Sequence, residues 1–132
     1  MTPDLDLANH LAAQGLGTVA TDIFAGPMKP PSSQIAKAAI FCISTGGLPP
    51  VPYLDASTSD FNVATVQVLV RGDVGAYSTA QTKAMNARDA IQRAVIAGYV
   101  AVYVRESNPN FIGLDDTEHP MFTLNAELQW KG

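Results

Sequence analysis

The sequence predicts an α/β domain of the α+β type: one mixed, mainly antiparallel sheet of about five strands with two helices on one face, in the order α-β-β-β-α-β-β. Three observations lead there. Several segments alternate apolar and polar side chains with the period of two that a half-buried strand requires. Two others repeat apolar or small residues every three to four positions, as a helix with one buried stripe does. The joins are rich in Gly, Pro, Asn and Asp, which interrupt regular structure.

The first helix is expected at about 4–14. Thr2 is placed to accept backbone N–H bonds at its start, Pro3 needs no donor there, and Asp4 suits the positive helix end. Leu7 and Leu11 share a face with Ala8 and Ala12, and Gly15 closes the helix. Gly17–Phe24 reads as a strand, with Val19, Thr21 and Ile23 on one side. AGPMKPPSS then breaks the pattern through its prolines. Ala36–Ser44 is apolar on both faces from Ala38 to Ile43, as a covered central strand is. Residues 45–60, TGGLPPVPYLDASTSD, have neither period and are expected to be a long loop.

Asn62–Arg71 alternates cleanly, with Ala64, Val66, Val68 and Val70 on one face. After the turn GDVGAY, a main helix is expected over 78–97, its inner stripe Ala80, Ala84, Ala87, Ile91, Ala94 and Val95, with Gly98 ending it. Tyr99–Glu106 is the next strand, with Val100, Val102 and Val104 on one face. SNPNFIGLDDTEHP reads as a second long loop. Met121–Trp130 closes the sheet with Phe122, Leu124, Ala126, Leu128 and Trp130 inward.

The 132 residues suit one domain over 1–132, and 47% hydrophobic against 15% charged residues is the balance of a folded chain. So few charges leave neutral surface that another subunit would cover. The eight Lys and Arg are scattered against twelve Asp and Glu, for a net charge of −4. Gripping a phosphate backbone needs a concentrated positive face, so direct nucleic-acid binding is disfavoured. No apolar stretch approaches the roughly 18 residues of a membrane span, and MTPDLDLANH does not resemble a signal peptide.

The search for chemistry yields little. The single cysteine, Cys42, lies in the apolar run IAKAAIFCIS, where a thiol packs as a small hydrophobe. Asp115, Asp116, Glu118 and His119 offer ligand types for a cation, but their spacing matches no specific metal motif, and a solvated or intersubunit loop is the preferred reading. Gly46-Gly47 and GDVGAY fail the phosphate-loop and dinucleotide patterns. His10 reads as a helix-surface or cap residue. No cofactor is expected.

In combination, GLGTVATDIFAGPM, STGGLPP, TVQVLVRG, AMNARDAIQRA and NPNFIGLDDTEHPMFTLNAEL resemble the tail-terminator or minor capsid proteins of tailed phages along most of the chain. Leu114 stands where that family usually has a basic or polar residue after F-I-G. The resemblance implies a non-enzymatic virion subunit, made in the host bacterial cytoplasm, that forms a hexameric ring. The ring would cap the head-proximal end of the tail tube and meet the tube protein and the head-side connector. An acidic wall suits a conduit that DNA crosses without sticking. A head-completion or neck adaptor ring and, further off, a small metal-dependent enzyme at Asp115–His119 are the alternatives. The expected contact residues are Gly46, Gly47, Val51, Tyr53 and Leu54 in the first long segment, and Arg71 and Arg105 at strand ends. Asp115 and Asp116 are candidate partners for these arginines on a neighbouring subunit.

Overall fold

The computed structural model describes residues 2–26, 38–52 and 59–132. The elements run α1 (Pro3–Ala13), β1 (Ile23–Ala25), β2 (Ala39–Pro52), β3 (Asp60–Arg71), α2 (Tyr77–Ile91), β4 (Ala101–Val104), β5 (Asn110–Leu114) and β6 (Pro120–Lys131). They form a six-stranded sheet ordered β1-β2-β3-β6-β4, with β5 also paired to β6. β4 lies beside residues 126–129 of β6 and β5 beside residues 120–123, so the two short strands lie end to end along one edge. The sheet is therefore five strands wide. β1 and β2 run parallel and the other pairings between these strands are antiparallel, which makes the sheet mixed and mainly antiparallel, as the sequence predicts.

Both helices pack on one face of this sheet. Leu7, Ala8 and Leu11 of α1 and Ala80, Ala84, Ala87 and Ile91 of α2 bury against Ile40, Cys42, Val66, Val68, Val70, Phe122, Leu124, Ala126, Leu128, Val102 and Val104. These are the inward positions of the alternating strands, and their burial is the main favourable term of the fold. The other face holds a smaller apolar corner of Ala39, Phe41 and Leu69, against which Phe24, Ile43 and Met121 pack.

Several boundaries differ from the sequence expectation, each for a local reason. The first helix forms, but the Thr2 side chain makes no cap bond; its carbonyl accepts from Asp6 N–H at 2.8 Å instead. Of the strand expected over 17–24, only Ile23 and Phe24 pair with β2, together with Ala25 beyond its end. Asp22 Oδ1 accepts from Thr18 N–H at 2.6 Å, and Thr18 O accepts from the N–H groups of Thr21, Asp22 and Ile23, which folds 18–22 into a turn. The main helix ends at Ile91 rather than Ala97. Gln92 turns extended and Arg93 takes φ +60, so Val95, expected on the buried stripe, is exposed. Val100, expected inside, is also exposed, because β4 begins one residue later.

Candidate assembly surface

The largest correction falls on the segment read as a loop over 45–60. Residues 45–52 are strand: β2 continues to Pro52 and pairs with β3 back to Asp60, making a long hairpin arm. Two bulges absorb the residues that argued against a strand. Between the pairs Ser44↔Val66 and Gly47↔Ala64, β2 carries one extra residue; between Leu48↔Val63 and Val51↔Phe61 it carries another, at Pro49-Pro50. Gly46 has φ +88, and a Cβ on Gly47 would lie 1.9 Å from Val63 O, so the first bulge favours glycine at 46 and requires it at 47. Every β2 side chain from Ser44 to Pro52 is exposed, including Leu48 and Val51. Tyr53 and Leu54 lie outside the described residues.

Both arginines expected to meet a neighbouring subunit find carboxylates in their own chain. Arg71 is 1% exposed, its Nη1 lies 3.8 Å from Asp115 Oδ2, and its guanidinium sits 5.9 Å from the centre of the Phe41 ring. Asp115 was expected to meet an arginine of a neighbour; it instead ties the β5–β6 turn to the end of β3. Its Oδ1 also accepts from Thr117 N–H, Thr117 Oγ1 and His119 N–H, at 2.9, 3.0 and 2.8 Å. Burial pushes its carboxyl up, but these bonds outweigh burial and hold it below the usual range. Asp116 and Glu118 stay exposed. Among the described residues no three His, Cys, Asp or Glu side chains converge as a metal site would need.

Arg105 donates to Glu127 Oε1 through Nε at 2.9 Å and Nη2 at 2.6 Å. The Tyr103 hydroxyl donates to Glu127 Oε2. Glu127 is thus a carboxylate on a central strand, on the face away from the helices, held low first by Tyr103 and then by Arg105. Tyr103 is pushed up in turn by that bond. Across the sheet, Thr65 stands opposite Glu127, and Thr45 Oγ1 lies 2.7 Å from Thr65 Oγ1. This row of polar side chains crosses the face opposite the helices.

Cys42 is fully buried beneath α1, and its thiol is pushed up to about 12, first by burial and then by Asp4. It is a protonated core side chain at neutral pH. A groove between the end of α1 and α2 is lined by Gly15, Leu16, Ser78, Thr79, Thr82, Lys83 and Asn86, a lining without carboxylate or imidazole.

Sequence reasoning missed one surface. The Phe111 ring lies 5.1 Å from that of Tyr77 and 5.3 Å from that of Phe122, and Val74, Tyr77, Phe111, Ile112 and Leu114 are all exposed. The available signal was the uncharged run Asn110–Leu114 inside an otherwise polar loop, an apolar cluster that a solvating loop does not need.

The described residues thus show a β2 arm strand exposed and without charge from Ser44 to Pro52 at one edge of the sheet, an apolar short strand at the other, and no cluster of groups that would carry catalysis or hold a metal. A family model described as the bacteriophage tail terminator protein matches residues 10–131, and the chain belongs to that family. Among solved structures, the chain is similar to one in the virion of a native gene transfer agent particle. The two are 17% identical, the match covers 98% of this chain and 94% of that one, and the TM-score is 0.66, a likeness of fold. No curated protein matches the sequence. The chain is a phage structural protein of the virion.

Proposed function

We propose that this subunit closes into a homo-oligomeric ring, of six copies, on the head-proximal end of the tail tube. The ring stops further addition of tube protein and presents a joining surface to the head-side connector. Its work is binding, without catalysis or cofactor, and DNA passes through it without a specific grip. Beside family membership, one observation carries this reading: the β2–β3 arm, exposed from Ser44 to Pro52 and without a charge over that stretch. A strand of that length contributes no burial to its own core, and its exposed Leu48 and Val51 are suited to a partner's surface. Gly46, Gly47, Val51, Tyr53 and Leu54 belong to this contact segment, the exposed part of Arg105 to the sheet face near its base, and Asp116 to a second contact at the β5–β6 turn. Arg71 and Asp115 act from inside, by fixing the β5–β6 turn.

The test is tail length. Phage lacking the gene should make overlong tubes, and the purified chain added during assembly should restore a uniform length. Tails of normal length beside empty or leaking heads would assign the chain to head completion instead.

A further inference from the structure

The two edges of the sheet are protected unequally. β4 occupies one part of the edge beyond β6, and its own chain caps it: Arg93 N–H donates to Val102 O, and Val104 N–H donates to Gln92 Oε1, both at 3.1 Å. β5 occupies the rest of that edge and, among the described residues, pairs with β6 alone. No such cap covers its outer side there. Its five residues include no charge and no proline, two of the devices that usually keep an edge strand from being paired; of the others it has its shortness and one bulge. Ile112 is the extra residue of a bulge between Phe111 and Gly113, and it is 54% exposed. A bulge re-aims a side chain, and this one sends an isoleucine into solvent. On the opposite edge, β1 covers β2 only at residues 40–42. From Ile43 to Leu48 the outer side of β2 is open among the described residues, again without charge or proline.

We propose that these two open edges are the two halves of one contact: residues 43–48 of one copy lie along β5 of the next, with Ile112 and Leu48 packed together. The occupant is a second copy because the chain itself carries both halves, on opposite edges of one sheet. Like edges would meet about a two-fold axis and stop at a pair. Unlike edges make a head-to-tail contact that repeats and closes only at a fixed rotation. The inference rests on the ring reading above and names the strands that join its subunits.

Leu48→Cys and Ile112→Cys, prepared as separate full-length samples, are mixed in equal amounts and treated with a short bismaleimide. Cys42 stays silent because it is buried. Links between 48 and 112 should dominate over 48–48 and 112–112 links. In the parent chain, amide exchange at 43–48 and 110–114 should slow together as concentration drives assembly. Ile112→Lys, with its circular dichroism unchanged, should weaken self-association on the order of tenfold or more. Dominant like-to-like links, oligomers in which both segments still exchange as in the monomer, or a chain monomeric at every concentration would overturn the pairing. The terminator reading falls separately, on tail length: a chain that restores uniform tail length without forming 48–112 links would keep that function and lose this contact.

Discussion

Gly47→Ala is the sharpest probe of the arm, because its consequence is set by backbone and not by a flexible side chain. The new Cβ would lie 1.9 Å from Val63 O and 2.9 Å from both Ala64 Cα and Val63 C. Real Cβ contacts do not fall under 3.0 Å, so the two strands must part by more than an ångström at this pair. Forcing one carbon into packed structure costs about 1–3 kcal/mol. The arm offers a cheaper escape: Gly47, Leu48, Val51 and Pro52 are exposed, and of their β3 partners only Ala64 is buried, so the pairs can open while uncovering little of the core. Gly47→Ala is therefore expected to release the arm from residue 47 outward and to leave the core intact. Gly46→Ala is its control. Nothing lies within 4 Å of that added carbon, and only the left-handed backbone, φ +88, resists it, at about 1–2 kcal/mol. Amide exchange resolves the two outcomes, since Gly47→Ala should expose arm amides while those at 66–70 and 122–128 stay protected. Tube capping should fall with the arm. If arm amides in Gly47→Ala exchange as slowly as in the parent, or the whole chain unfolds together, the argument fails.

Two further predictions concern the interior. Asp115→Ala should destabilise the chain by about 2–3 kcal/mol in urea denaturation, because it strips a nearly buried arginine of an ionic partner and unties the β5–β6 turn; Asp116→Ala, at an exposed neighbour, should stay within about 0.5 kcal/mol of the parent. Asp115 and Glu127 both have folded pKa values below their ordinary 3.8 and 4.5, so the stability they add is complete above those values and is lost as pH falls through the lower folded ones. The melting temperature should accordingly drop on acidification below about pH 4.5 and less steeply in Glu127→Gln; a parallel pH profile for that variant would contradict the assignment.

The layered fold was legible because its core positions obey the two simple periods. Val66, Val68 and Val70 and Leu124, Ala126 and Leu128 are buried where alternation put them, and Ala80, Ala84, Ala87 and Ile91 where the helical stripe did. The arm was not legible because Gly46-Gly47 and Pro49-Pro50 usually end strands, and only the partner strand reveals that bulges take them up. β5 was hidden for a similar reason: five residues with a glycine at positive φ have no periodicity of their own, and their strand character comes from β6. Arg71 and Arg105 were expected to meet carboxylates of a neighbouring subunit. Their partners, Asp115 and Glu127, lie in the same chain, and that follows from sheet register, which a linear reading does not contain.

β3 gives the subunit a mechanical property. It runs unbroken from Asp60 to Arg71, about 40 Å at strand rise, with β6 alongside from Phe61 onward and β2 on its other flank. At its far end Gly72 meets α2 with no side chain between them: a Cβ there would lie 2.5 Å from that of Ala80. In engineering language the strand is a strut, braced on both sides and butted against a helix. A load carried by β3 itself therefore has a continuous path to the foot of α2 and the Tyr77–Phe111–Phe122 rings.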